Sequence, residues 1–238
     1  MSLSAAEELD FVAAVEREGW AVTPPVVPQL VVDNLVAELS PIAAEHEARG
    51  GVRNLLEQSP AVRELARSSA ARSVAEAVLG PHCFAVRAIL FDKTPTANWK
   101  VVWHQDLTIA VRERATVLGF GPWSEKDGVA HVQAPETLLE RMLVVRVHLD
   151  DCGADNGPVR VLPGSHRVGR LSSAAIAHWR AAREDVACLA DRGAILAFRP
   201  LLLHASSPAT VAAHRRVVHI EFAVDELPEP LAWYDRVA

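Results

Sequence analysis

From Cys83 onward the sequence is a series of short apolar runs rich in β-branched residues: CFAVRAILF, VVWHQD, MLVVRVHLD, PVRVLP, AILAFR, LLLHAS and RRVVHIEFAV. Runs of this length and composition read as strands. Turn signals such as DCGADNGP and LPGSHR separate them. Many short strands of this kind bury their apolar faces as a sandwich or as a closed double sheet.

The first 80 residues follow a different pattern. Ser4 and Glu7 have the spacing of a capping box, and Leu9, Val12, Ala13 and Glu16 continue at helical intervals as far as Gly19. Pro24 and Pro25 exclude a regular strand centre in AVTPPVV. The spacing predicts a second helix over 31–48, ending near Gly50 and Gly51. Ser59-Pro60 opens a third, which continues with a break to Leu79 and stops at Gly80-Pro81. A further helix is expected near 172–182. The expected fold class is therefore mainly β with flanking helices (α+β). Without repeats or linkers, one domain over 1–238 is expected, with helical support over 1–81 and a β-core over 82–226. Residues 111–135 interrupt the strand pattern, and a connection that long is expected to be a lid or binding loop.

Composition narrows the function. Half of the 238 residues are hydrophobic, enough for a sizeable core. The net charge is −6 and no basic stripe is present, which argues against a nucleic-acid partner. Only Lys93, Lys100 and Lys126 are lysines, so each is a candidate for a specific role. Cys83, Cys152 and Cys188 are too few and scattered for a disulfide scaffold and suit a reducing compartment. The acidic start, MSLSAAEELD, has no apolar signal core, and no run approaches the roughly 18 apolar residues of a membrane span. A cytoplasmic protein is expected.

The chemistry centres on His104 and Asp106. Two residues apart on an extended segment, an imidazole and a carboxylate point to one side and can reach one metal ion. They supply two-thirds of the facial triad that holds non-haem Fe(II) with open positions. LLLHASS places His204 at the end of another apolar run, and Arg215 follows eleven residues later at the start of an alternating strand.

WHQD at 103–106, LDDCGADNGPVRVLPGSHR at 149–167, and His204-x-Ser206 with the trailing Arg215 together give the chain its resemblance to a family. The chain resembles the phytanoyl-CoA dioxygenase family of Fe(II)/2-oxoglutarate oxygenases over roughly 87–224. The resemblance implies a double-stranded β-helix, a jelly-roll barrel. It implies Fe(II) on His104, Asp106 and His204, and 2-oxoglutarate held at its distal carboxylate by Arg215 and Ser206. Arg215 rather than Arg216 matches the family spacing, and alternation lets only one of them face inward. Ile89 falls where the family lines the cosubstrate pocket with an apolar side chain. Arg146 departs from the family, whose members often carry tryptophan there. It is a second cation for the cosubstrate or for an anionic substrate. Related halogenases lack the carboxylate at Asp106, so its presence favours hydroxylation. The implied partners are O2 and a small-molecule substrate.

Other polar residues carry less. His148 is placed on one strand face with Arg146 and Asp150, and His219 on a face with Arg215. His166 reads as a turn anchor, while His82, His131 and His214 have no evident partner. Cys152 and Cys188 read as small core or loop residues, and Asp150-Asp151 as turn chemistry. Trp99, Trp103 and Trp123 are candidate pocket walls, although core packing accounts for Trp103 equally well. A cupin-type metalloenzyme without 2-oxoglutarate is the competing reading, but it leaves the inward Arg215 without a partner. A non-catalytic module on the same fold is a third, which loss of a triad member would have favoured.

Overall fold

The computed structural model describes residues 3–45, 51–211 and 213–238. In chain order the elements are α1 (Ala5–Glu18), β1 (Trp20–Val22), α2 (Gln29–Glu45), α3 (Leu55–Gln58), α4 (Pro60–Arg67), α5 (Ser69–Leu79), β2 (Phe84–Lys93) and β3 (Val101–His104). They continue with β4 (Thr108–Val111), β5 (Trp123–Lys126), β6 (Val129–Gln133), α6 (Glu136–Leu139), β7 (Met142–His148) and β8 (Val159–Val161). After a 3-10 turn at Ser165–Val168 come α7 (Ser173–Ala182), β9 (Val186–Cys188), β10 (Ile195–Phe198), β11 (His204–Ser206) and β12 (Arg215–Ala223).

All strand pairs in the three sheets are antiparallel. One sheet has the order β1-β10-β7-β12-β2, a second β3-β11-β8-β9, and a third β4-β6-β5. The first two close on a shared interior. Val144, Leu196 and Phe198 from the larger sheet meet Val159, Val161 and Cys188 from the smaller one in a single buried cluster. This is the double-stranded β-helix. The opposite face of the larger sheet takes the helices: Leu143, Val145, Val147 and Ile220 pack with Phe11, Val15, Leu35, Leu39 and Leu65. The central strand β7 is therefore buried at every position. Its near-continuous apolar sequence follows from burial on both faces.

Local chemistry sets the helix ends. Ser4 and Glu7 form the full capping box, and Gly19 ends α1 in the left-handed region at φ 89°. Ser59 caps α4 through Val62 N at 3.1 Å, with Pro60 in the first turn. Ser68 breaks the third helix, as the sequence suggests, and caps α5. α2 runs to Glu45 through Pro41, and its expected continuation to 48 and to Gly50 lies outside the described residues.

Each of the seven apolar runs contains a strand, but β1, β4, β5, β6 and β9 were not expected. The correction matters most at 111–135, which is not a loop throughout: β5 and β6 form a hairpin that pairs with β4. Asp127 and Gly128 turn it with φ 49° and 78°, the positive values of an Asp-Gly hairpin turn. The flanking WSEK and VAHVQ have no clean apolar alternation, so only the Asp-Gly signal was available. Val111, Val132 and Ala134 join Phe84, Met142 and Trp233 in a core at that end of the barrel.

Candidate active site

His104 closes β3 and His204 opens β11, and the two face one another in register. Their ring centroids are 4.2 Å apart. β3 stops at His104, so Asp106 lies beyond the ladder rather than on an extended run with it. Its N–H donates to Pro200 O at 2.9 Å. The neighbouring Gln105 amide turns the other way and donates to Gly169 O at 2.8 Å and Leu201 O at 2.7 Å. These bonds anchor the backbone around Asp106. Its carboxylate then lies 3.6 Å from His104 Nε2 and 3.7 Å from His204 Nε2. The three ligand atoms lie within 4.8 Å of one another, the one such cluster of three among the described residues.

The imidazoles are oriented from behind. His104 Nδ1 lies 2.8 Å from Val102 O, and His204 Nδ1 lies 2.9 Å from Leu202 O. A carbonyl only accepts, so each Nδ1 carries the proton and each Nε2 turns a lone pair to the common centre. Burial, and then the neighbouring His104, brings His204 down to about 4, so it is neutral at pH 7. Burial opposes the charge on Asp106, but His204 and His104 together outweigh it and hold the carboxyl well below its usual range. Asp106 Oδ2 is buried without a hydrogen-bond partner. Burial opposes the charge on His104, but Asp106 beside it raises its pKa, so this imidazole gives up its proton when a metal binds. Two imidazoles and an ionised carboxylate oxygen lacking a donor are the ligand types a divalent iron takes.

A cavity of about 170 Å³ opens beside these three residues, lined in part by Phe91, Trp99, Val159, Ser206, Arg146 and Arg215. Arg215 is 2% exposed, and its Nε and Nη1 are buried with no partner. Arg216 points the other way and forks onto Asp150 at 2.6 and 2.9 Å. Lys93 is the register partner of Arg215 across β2 and β12. Its ammonium donates to Ser206 Oγ at 2.6 Å and also to Ser207 O. An ammonium cannot accept, so the Ser206 hydroxyl proton stays available to a ligand. Burial, and then Arg215, lowers Lys93 to about 8. A buried guanidinium with two unbonded nitrogens beside a hydroxyl donor is a carboxylate receptor, which fits 2-oxoglutarate.

Arg146 also lines the cavity, and its Nη1 lies 3.3 Å from His219 Nδ1. His219 Nε2 lies 3.4 Å from Glu221 Oε1, and Glu221 is ion-paired with Arg87. Ile89 is buried on the interior face of β2, yet Phe91, two residues on, is the residue that reaches the cavity. His148 faces inward and is buried with neither nitrogen bonded. Asp150 does not share its face, since β7 ends at His148 and Asp150 holds Arg216. His166 ties its turn to Glu16 O at 3.2 Å, and His214 pairs with Asp92 at 2.9 Å. His131 Nδ1 bonds Val129 O at 3.0 Å, and His82 lies in the turn before β2. The three cysteines are buried free thiols. Of the tryptophans, Trp99 lines the cavity, while Trp123 packs in the far core. Lys93 and Phe91 were not identified as site residues from sequence. The scarcity of lysine and the period of β2 were the signals that could have found them.

A sequence model of the family described as phytanoyl-CoA dioxygenase matches residues 15–217. The chain belongs to the phytanoyl-CoA dioxygenase family. It is accordingly a non-haem Fe(II)/2-oxoglutarate-dependent oxygenase. No curated protein matches this family member significantly by sequence. Among solved structures it is similar to AviO1 from Streptomyces viridochromogenes Tue57, at 22% identity and TM-score 0.70, covering 95% of this chain and 99% of that one. EctD from S. alaskensis, with 2-oxoglutarate and 5-hydroxyectoine, matches at 20% identity and TM-score 0.71, over 96% and 79% of the two chains. The epimerase SnoN from nogalamycin biosynthesis matches at 17% identity and TM-score 0.71, over 95% and 90%. At these identities the likeness concerns the fold. Among the described residues no helix is long and apolar enough to cross a membrane.

Proposed function

We propose that this oxygenase hydroxylates a small cytoplasmic metabolite, with O2 as oxidant and conversion of 2-oxoglutarate to succinate and CO2. One observation carries the reading: a cluster of two histidines and an aspartate within 4.8 Å opens onto the cavity lined by Arg215, whose Nε and Nη1 have no partner. His104, Asp106 and His204 hold the iron. Bound Fe(II) and 2-oxoglutarate supply the oxidising power that places one oxygen atom in a substrate C–H bond and the other in succinate.

The chain's own residues position and enclose. Arg215 forks onto the distal carboxylate of 2-oxoglutarate, and Ser206 donates its hydroxyl proton to the same group, with Lys93 fixing the serine rotor. Phe91, Val159 and Trp99 form apolar walls that limit water at the reacting centre. Ile89 shares the interior face of β2 with Phe91 but is not part of the cavity lining. Asp106 would give the iron a carboxylate ligand that related halogenases lack, which supports hydroxylation over halogenation. A cavity of about 170 Å³ is small beside the roughly 300–1,000 Å³ of pockets for drug-sized ligands, which favours a compact substrate. The hairpin within 111–135 contributes no residue to the cavity lining, and its Trp123 and Val132 pack in the core at the other end of the barrel. The chain works as one folding unit over 1–238, because the helices of 1–81 and the larger sheet share one core cluster.

The test is spectroscopic. Purified protein given Fe(II) and 2-oxoglutarate without oxygen is expected to develop the weak visible charge-transfer band of the chelate. With iron loaded, a flat visible spectrum overturns the reading.

A further inference from the structure

We propose that the substrate carries a carboxylate and that Arg146 binds it, an inference that rests on the iron and 2-oxoglutarate assignment above. The first support is charge. Arg146 and Arg215 line this cavity, Lys93 stands behind its Ser206 wall, and Asp106 is the carboxylate that lines it. Glu221 is also buried nearby, but Arg87 already pairs with it. The Cys152 and Cys188 thiols are pushed up by burial and stay neutral. His148 and His219 are held down by burial first, and stay neutral as well. Fe(II) and the 2-oxoglutarate dianion cancel one another when bound, so two positive charges remain in excess. Buried charge left uncompensated is strongly unfavourable, so the loaded site selects an anion.

The second support is geometric. The distal carboxylate of 2-oxoglutarate is already provided for by Arg215, Ser206 and Lys93. Arg146 stands on the central strand β7, with Leu196 on one side and His219 on the other. Its partner His219 has its ring centroid 6.2 Å from that of Phe198, which in turn lies 4.8 Å from that of His204, so Arg146 stands towards the metal ligands. The chain Arg87–Glu221–His219–Arg146 fixes its orientation. Glu221 accepts from His219 Nε2–H, leaving Nδ1 to accept from Arg146 Nη1. The guanidinium carbon lies 5.3 Å from the centre of the Phe91 ring, against an aromatic wall. Its Nε is buried and has no partner. An oriented guanidinium with a free donor matches a carboxylate better than a neutral amide or hydroxyl.

Matched acid and amide probes test this. Protein loaded anaerobically with Fe(II) and 2-oxoglutarate is titrated by calorimetry with acetate against acetamide, and with propionate against propionamide. Wild type is expected to prefer each acid by about tenfold or more. In Arg146→Gln the preference falls to near one while the 2-oxoglutarate Kd stays within about threefold, and the chelate band confirms that the variant is folded. Arg146→Lys keeps part of the preference. No acid preference in wild type overturns the proposal, as does a preference unchanged in Arg146→Gln. A rise of more than tenfold in the 2-oxoglutarate Kd of Arg146→Gln also overturns it, because Arg146 would then serve the cosubstrate. Absence of the band in wild type instead contradicts the iron and 2-oxoglutarate assignment, which separates the two failures.

Discussion

His148 and His131 show what burying an imidazole costs at the residue scale. Each is 1% exposed. Burial, followed by the charges of Arg146 and Arg215, holds His148 near 3, and burial holds His131 near 4, against an ordinary value of 6.5. In the window between those values and 6.5 the unfolded chain binds protons that the folded chain refuses. Stability is therefore full above pH 6.5 and falls as the pH drops towards 4 and then 3. At pH 5.5 each histidine costs about 1.4 kcal/mol relative to pH 7.5. Urea unfolding at the two pH values is expected to show the metal-free protein weaker at pH 5.5, with a smaller loss in His148→Leu. Equal pH sensitivity in the variant would remove His148 from this role. Residues of this kind are hard to read from sequence. That Arg215 faces the interior and Arg216 does not follows from strand period, but nothing in the spacing announces the bond of Arg216 to Asp150 or of Lys93 to Ser206.

At the scale of elements, the DNG turn before β8 supports the segment that follows β11. Gly157 has φ 62°, and a Cβ there would lie 2.8 Å from Ser207 O and 3.1 Å from Lys93 Nζ. Gly157→Ala therefore pushes on the backbone that follows His204 and Ser206. It is expected to destabilise by about 1–3 kcal/mol and to weaken 2-oxoglutarate binding. Gly128→Ala is the control: φ is 78°, but nothing lies within 4 Å of the added Cβ. That variant pays backbone strain of about 1 kcal/mol and leaves 2-oxoglutarate affinity unchanged. Melting temperature and cosubstrate titration on both variants separate the two effects, and equal 2-oxoglutarate affinities would deny the turn its supporting role. Element legibility divided along the same physical line. Strands buried on both faces, such as β2, β7 and β12, announced themselves as apolar runs. The short β5 and β6 carry Glu125, Lys126 and His131 and were missed, because a hairpin held by backbone pairing needs no apolar run.

For the whole molecule, the helices cover one face of the larger sheet and the smaller sheet the other, leaving an interior part apolar cluster and part polar cavity, with the proposed iron ligands at its mouth. His104 is about a third exposed while His204 is nearly buried, so the cluster faces solvent on one side and the barrel on the other. That overall plan was legible as a helical block followed by strands. The position of Asp106 was reached for a reason that needed correcting, since backbone and amide bonds beyond β3 carry it rather than strand alternation. The central claim is that these two histidines and one aspartate hold one iron. Metal analysis after anaerobic loading with Fe(II) and desalting tests it most directly. Wild type is expected to retain about one iron per chain, and His204→Ala, with unchanged secondary structure, to retain almost none. Undiminished iron in His204→Ala would contradict the assignment.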